Sequence, residues 1–99
     1  MSKKQTPYEA LNSLFKYIRG EPLKQSEEKS HFLETLTDII SYKELSDYHQ
    51  LEPHQTSAFL KATEIIIEAY NSTPPSKKKD NTEDMRLFIK ERLQGNLNR

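Results

Sequence analysis

The chain contains five patterns that start helices and no pattern that predicts a strand. The first is Thr6-Pro7-Tyr8-Glu9, where threonine can cap the helix, proline loses no hydrogen bond at the first helical position, and glutamate can reach back to the cap. Gly20 and Pro22 end the pattern, which predicts a helix over residues 7–19. Apolar residues inside it recur at spacings of three and four, as on one buried helix face: Leu11, Leu14, Phe15 and Ile18.

A second helix is predicted to begin after Ser26, because serine is a good cap and the two glutamates that follow suit the positive end of the helix dipole. Its apolar face consists of Phe32, Leu33, Leu36, Ile39 and Ile40. The capping-box pattern recurs at Ser41-Tyr42-Lys43-Glu44, directly after this face. We therefore expect the chain to bend there and to form a short third helix that carries Leu45, Tyr48 and Leu51.

Pro53 fits the first position of a fourth helix that ends near Tyr70. The isoleucine run 65–67 would suit a strand by itself, but the alanines around it favour a helix. The apolar residues of the fourth helix span a wide arc. This helix is therefore predicted to contact several neighbours and to form the centre of the core. Its apolar residues are Ala58, Phe59, Leu60, Ala62, Ile65, Ile66, Ile67, Ala69 and Tyr70.

The composition changes sharply after the fourth helix. Residues 72–81 hold two prolines, three lysines and small polar residues, which predicts a flexible linker. A fifth helix follows over residues 82–95, where Asn81 or Thr82 can act as the cap and Gly95 as the stop. Its apolar stripe consists of Met85, Phe88, Ile89 and Leu93.

This stripe has two possible roles. It can dock on its own bundle, or it can become ordered only on a partner or a second copy, as a helix in a groove. We expect the second role, which makes Met85, Phe88, Ile89 and Leu93 the partner-binding residues. The basic residues Arg86, Lys90 and Arg92 would then steer the helix toward acidic surfaces.

Together these elements predict an all-α fold, a small four-helix bundle over residues 6–71 joined by the linker to a tethered C-terminal amphipathic helix. Residues 1–5 and 96–99 are expected to be disordered. The core is small, because 99 residues with 33% hydrophobic side chains bury a limited fraction of their surface. Stability is therefore expected to be low or to depend on a partner.

Several kinds of chemistry have no support in the sequence. The chain lacks cysteine, its two glycines cannot form a glycine-rich phosphate loop, and its three histidines lack the spacing of metal ligands on one helix face. We predict no catalytic, metal-binding or cofactor-binding residue. No apolar run approaches the roughly 20 residues needed to span a membrane, and the polar residues 1–5 do not resemble a secretory signal, so a cytoplasmic location is expected.

Residues 40–60 resemble the helix-turn-helix unit of small phage and bacterial repressors. Leu45 matches the anchor of the first helix, Leu51 the inward turn residue, and Pro53 the start of the second helix. Phe59 matches the position at which the second helix docks. The resemblance implies that four residues of that helix contact DNA: His54, Gln55, Ser57 and Lys61.

The charge distribution disfavours DNA as the partner. Residues 1–70 carry 8 basic and 11 acidic residues, a net charge of −3, whereas residues 71–99 carry 7 and 4, a net charge of +3. Affinity for duplex DNA depends mainly on Lys and Arg at phosphates, and an acidic body supplies few. The sequence thus favours a small non-catalytic regulatory or adaptor protein, of bacterial or phage type, that binds another protein or itself, with no membrane and no identified small-molecule substrate. A DNA-binding transcriptional regulator is the alternative.

Overall fold

The computed structural model describes residues 4–46, 48–49 and 51–97, with side chains as far as Gly95. Over these residues it contains helices and no strand, which confirms the all-α class. The four α-helices are α1 (Pro7–Arg19), α2 (Ser26–Glu44), α3 (Pro53–Asn71) and α4 (Thr82–Leu97), and a 3-10 turn spans Pro75–Lys77. The described residues therefore form four α-helices where the sequence predicts five.

The first helix begins as its capping pattern predicts. The Thr6 hydroxyl accepts a hydrogen bond from the Glu9 N–H (3.1 Å), and the Glu9 carboxylate accepts one from the Thr6 N–H (3.0 Å). In α2 the cap is Gln25 rather than Ser26, which is the first helical residue. Glu28 reaches back to the Gln25 N–H at 3.1 Å, so the helix is capped one residue earlier than predicted.

The predicted third helix is wrong, because α2 continues through residue 41 to Glu44. The Lys4 ammonium donates to the Ser41 hydroxyl (2.8 Å), and the Tyr42 hydroxyl donates to the Gln5 carbonyl. The Ser41 carbonyl accepts the next helical bond from the N–H of Leu45 (3.0 Å). The N-terminal segment thus occupies the residues that would have capped a new helix, and this tertiary contact outweighs the local pattern.

The connection between α2 and α3 is anchored by two apolar side chains without a helix. Leu51 is buried, and the Tyr48 ring stacks on Phe59 of α3 with 5.5 Å between ring centroids. Leu45, which was expected to anchor the third helix, is 68% exposed. The next helix begins at Pro53, as predicted.

One hydrophobic core joins all four helices. Helices α2 and α4 each pack against all three other helices, whereas α3 packs mainly against α2 and α4. The central position predicted for α3 is therefore shared, and Leu60 and Ile67 of α3 are only partly buried. The largest fully buried apolar side chains come from every helix: Leu14, Phe32, Leu36, Ile39, Phe59, Ile66 and Ile89.

Helix α4 docks on its own chain in this structure. Met85, Ile89 and Leu93 are 3%, 0% and 5% exposed and belong to the common core. The helix also passes through Gly95, its predicted end, and continues to Leu97. A glycine inside a helix costs only about 1 kcal/mol relative to alanine, so Gly95 does not prevent the helix from continuing.

The predicted linker has local structure. Beyond the 3-10 turn, the Lys78 ammonium donates to the carbonyl oxygens of Tyr70 and Thr73 and lies 4.0 Å from the centroid of the Tyr70 ring. These contacts tie the middle of the segment to the end of α3. Its flexibility in solution stays a prediction.

At both ends of the chain, the described residues have hydrogen bonds or helical structure where disorder was expected. Lys4 and Gln5 hydrogen-bond to α2, since the Gln5 amide donates to the Thr35 hydroxyl at 3.0 Å in addition to the contacts above. At the other end, residues 96–97 belong to α4. Residues 1–3 and 98–99 lie outside the described residues.

Candidate interaction surface

The structure places most of the predicted partner-binding stripe inside the protein. Met85, Ile89 and Leu93 are core residues, and Phe88 is half-buried beneath the guanidinium of Arg92, which lies 4.6 Å from the ring centroid. The stripe is therefore a packed face in this conformation rather than an open docking surface. Leu93 is the member that also lines a surface groove, described below.

A buried arginine holds α4 against the end of α1. Arg86 was expected to be a surface residue that steers the helix, but it is only 2% exposed. Its guanidinium donates two hydrogen bonds to the Glu83 carboxylate, through Nε (2.8 Å) and Nη2 (2.7 Å). Nη1 donates to the carbonyl oxygens of Tyr17 (3.0 Å) and Gly20 (3.4 Å). Arg86 thus adds a charged donor at the C-terminal end of α1, where the Tyr17 carbonyl otherwise accepts only the Gly20 N–H (3.2 Å).

The electrostatics of this pair match its geometry. The hydrogen bond from Arg86 is the main cause that lowers the pKa of the Glu83 carboxyl below its ordinary value of 4.5. The same bond raises the pKa of Arg86. Glu83 additionally accepts the Leu23 N–H at 2.8 Å, which ties the segment after α1 to α4. We call the contacts of Glu83 and Arg86 with residues 17–23 the Arg86 clamp.

Sequence reasoning missed the Arg86 clamp, although the sequence contains a sign of it. Arg86 precedes Ile89 by three residues and Leu93 by seven, so it lies on the apolar stripe of the helix. A cation at such a position must find acceptors when the helix docks. Glu83, one turn earlier, is the carboxylate within reach.

The clamped helices leave an open groove of about 330 Å³ between α1 and α4. Phe15, Ile18 and Leu93 supply its apolar lining, and Arg19 and Gln94 add polar groups. Ile18 and Leu93 are buried by the surrounding chain, whereas Phe15 is only partly covered. The groove therefore offers an apolar floor to solvent.

Two helix stripes include lining residues of this groove and continue along their helices. On α1 the stripe comprises Tyr8, Asn12, Phe15 and Arg19, and on α4 it comprises Leu87, Lys90, Glu91 and Gln94. Successive members of the α1 stripe are three or four residues apart, and Lys90 and Glu91 each lie three or four residues from both Leu87 and Gln94, so each stripe lies on one side of its helix. Tyr8 is 50% exposed and Leu87 is 42% exposed. We call the groove and these two stripes the α1–α4 surface.

The predicted DNA-contacting residues lie on the outer side of α3. His54, Ser57 and Lys61 are exposed, whereas Gln55 is partly buried and its side-chain oxygen accepts the Glu52 N–H (3.0 Å). The same side of the helix continues with the exposed carboxylates of Glu64 and Glu68. This face is therefore acidic over its second half.

The connection that precedes α3 is long for a helix-turn-helix unit. Helix α2 ends at Glu44 and α3 begins at Pro53, which leaves eight residues between them. The turn of a helix-turn-helix unit usually has three or four residues. The two helices that the resemblance implies within residues 40–60 are thus represented by the end of α2 and the start of α3.

A second groove, about 340 Å³, lies between α1 and α2. The Tyr17 hydroxyl and His31 Nδ1 are hydrogen-bonded across it at 2.8 Å. Burial, followed by the nearby Glu28 carboxylate, raises the pKa of Tyr17 above its ordinary value of 10.0. Ser13, the one lining hydroxyl besides Tyr17, donates to the Gln5 side chain rather than to His31, so the groove lacks a serine–histidine pair.

No group of three or more histidine, aspartate or glutamate side chains within the described ranges is placed to bind a metal ion. None of the helices described is both long enough and apolar enough to cross a membrane. Comparison with known proteins adds no relative to this geometry: no protein-family model, no curated protein and no solved structure matches the chain.

Proposed function

We propose that the protein is a non-catalytic helical module that acts by binding a protein at the α1–α4 surface. The observation that supports this most is the open apolar groove, together with Tyr8 and Leu87, which lie seven residues before its lining residues Phe15 and Gln94. Tyr8 and Leu87 are two of the three large apolar side chains that are exposed among the described residues. An apolar pocket with polar groups around it is the usual anchor of a protein interface. The third such side chain, Leu45, stands by itself on a connection, as single exposed leucines commonly do.

This proposal changes the partner-binding residues from those expected of a tethered helix. Release of α4 would break the Arg86 clamp and expose Met85 and Ile89 to water, at about 1.5–3 kcal/mol for each large apolar side chain. Binding at the α1–α4 surface needs no such release. Of the four residues first expected to bind, Leu93 is therefore the one assigned to this surface.

Site-specific photo-crosslinking in the cells that produce the protein tests the proposal. A photoreactive amino acid at position 87 or 94 should form protein adducts, whereas the same residue at position 57 or 64, on the outer side of α3, should not. The adduct from position 94 should disappear when Leu87→Glu is added. Equal adducts from all four positions, or none from 87 and 94, would refute the proposal.

The exposed side of α3 favours a second candidate function, sequence-specific DNA binding through His54, Ser57 and Lys61. It ranks second because Glu64 and Glu68 continue that side and repel phosphates. A mobility-shift assay at several salt concentrations is the test. We expect no sequence-selective shift, and a tight, salt-sensitive shift that the His54→Ala, Lys61→Ala double variant abolishes would place DNA binding first.

A further inference from the structure

We propose that a second copy of this chain occupies the α1–α4 surface, so that the protein is a symmetric dimer. This inference rests on the proposed function, because it names the partner that binds the same surface. In a two-fold contact each copy presents the same patch, and the patch must therefore be complementary to itself. Three properties of the chain and of this surface favour such a contact.

The first property is the absence of long-range repulsion between copies. The chain has 15 basic and 15 acidic residues, so its formal net charge is zero at pH 7 and its pI is about 6.8. Proteins far from neutrality repel their own copies, and proteins near neutrality associate more readily. Two copies of this chain therefore approach each other without a net electrostatic barrier.

The second property is that the α1–α4 surface contains charges of both signs. Arg19 on α1 and Lys90 on α4 are basic, and Glu91 on α4 is acidic and exposed. A partner surface of one sign would meet at least one like charge here. A second copy supplies both signs, so Glu91 of each copy can pair with Arg19 or Lys90 of the other, and the remaining basic residue of each copy stays in solvent.

The third property is that the surface holds both an apolar groove and an apolar side chain to fill one. Phe15, Ile18 and Leu93 line the groove, while Leu87 projects from the stripe beside it and is 42% exposed. Leu87 lies seven residues before Gln94, which lines the groove, so the two share one side of α4. Under two-fold symmetry, Leu87 of each copy enters the groove of the other.

Sedimentation equilibrium on the full chain is the first test. We expect a dimer of twice the 11.6 kDa chain mass, and a rise of the dissociation constant by at least about tenfold for Leu87→Glu. Leu45→Glu is the matched control, because it removes a more exposed leucine, 68% against 42%, away from this surface. An unchanged dissociation constant for Leu87→Glu, or an equal rise in both variants, would overturn the inference.

A mixing experiment tests the charge argument and needs no assumption about which side chains meet. The Arg19→Glu, Lys90→Glu double variant makes the surface wholly acidic, and Glu91→Lys makes it wholly basic. Each variant should be monomeric when it is measured separately, and an equimolar mixture should form a heterodimer. Circular dichroism confirms that both remain helical, and failure of the folded variants to pair on mixing contradicts the inference.

The outcomes separate this inference from the proposed function. A wild-type chain that stays monomeric up to about 1 mM, where even a weak contact of about 4 kcal/mol half-forms, refutes the dimer. If the crosslinks from positions 87 and 94 then join the chain to a protein of another mass, the surface still binds a protein and only its occupant is wrong. If neither a dimer nor a crosslink appears, both statements are wrong.

Discussion

Replacement of Arg86 by alanine should destabilise the protein far more than the same replacement of Arg92 on the same helix. Arg86 makes its four hydrogen bonds with a side chain that is 3% exposed, opposite a Glu83 side chain that is 29% exposed. Arg92 lies 3.6 Å from Glu68, and both of those side chains are 53% exposed. The two variants thus compare a buried ion pair with a solvated one at equal cost in helix propensity.

The expected magnitude follows from what each truncation leaves behind. Removing one partner of a buried ion pair costs about 3–5 kcal/mol, because the other partner keeps its desolvation penalty without compensation. Glu83 retains some solvent, which reduces that cost, while two carbonyl oxygens at the end of α1 lose a charged donor, which adds to it. We expect a loss of about 2–4 kcal/mol for Arg86→Ala and of about 0–1 kcal/mol for Arg92→Ala.

Urea unfolding followed by circular dichroism measures both free energies of unfolding, and native-state amide exchange locates the loss. Protection should fall in α4 and in the last turn of α1 for Arg86→Ala, because these are the elements that the Arg86 clamp joins. Two variants that differ by less than about 0.5 kcal/mol, within the usual range of surface substitutions, would show that the clamp contributes no net stability.

Three further predictions follow from the core and the titratable groups. Because the pKa of Glu83 is lower in the folded state than its ordinary value of 4.5, the stability it contributes is present above that pH and is lost as the pH falls through the folded pKa. Urea midpoints measured between neutral and acidic pH should show this loss, and Arg86→Ala should weaken it. Ile66→Ala should cost about 2–5 kcal/mol in urea unfolding, and more than Leu60→Ala, because Ile66 is fully buried and Leu60 only partly so; equal losses would contradict this order. Tyr17→Phe should cost about 0.5–1.5 kcal/mol by the same assay, through the lost bond to His31, and a stabilised variant would contradict that role for the pair.

The starts of the helices could be predicted because they depend on neighbouring residues. Thr6 and Glu9 form their reciprocal bonds within one turn. Pro53 begins α3 because its ring fixes φ near the helical value and its missing N–H is not needed at the first helical position. The end of α2 could not be predicted in this way. The motif at Ser41 is a valid helix start by itself, but Lys4, which is 37 residues distant in sequence, bonds to its hydroxyl and helps to keep it in the preceding helix.

The candidate surface depends on tertiary contacts even more strongly. The apolar stripe of α4 was correctly identified as a face that needs cover, but nothing in its spacing says whether that cover comes from the same chain. The structure places it on the chain's own core, and only this docking creates the groove between Phe15 and Leu93. A surface made by two helices more than 60 residues apart has no local pattern from which to predict it.

The Arg86 clamp also determines when this protein can finish folding during its synthesis. The hydrogen bonds from Arg86 to the carbonyls of Tyr17 and Gly20 span 69 and 66 residues of the chain. Until residue 86 has left the ribosome, those carbonyls lack their charged donor, and the nascent α1 and α2 lack the helix that completes their core. The native contacts of the first helix are therefore completed only after residue 86 has emerged, so a ribosome that stalls within residues 72–81 would hold a chain with an unfinished, exposed core.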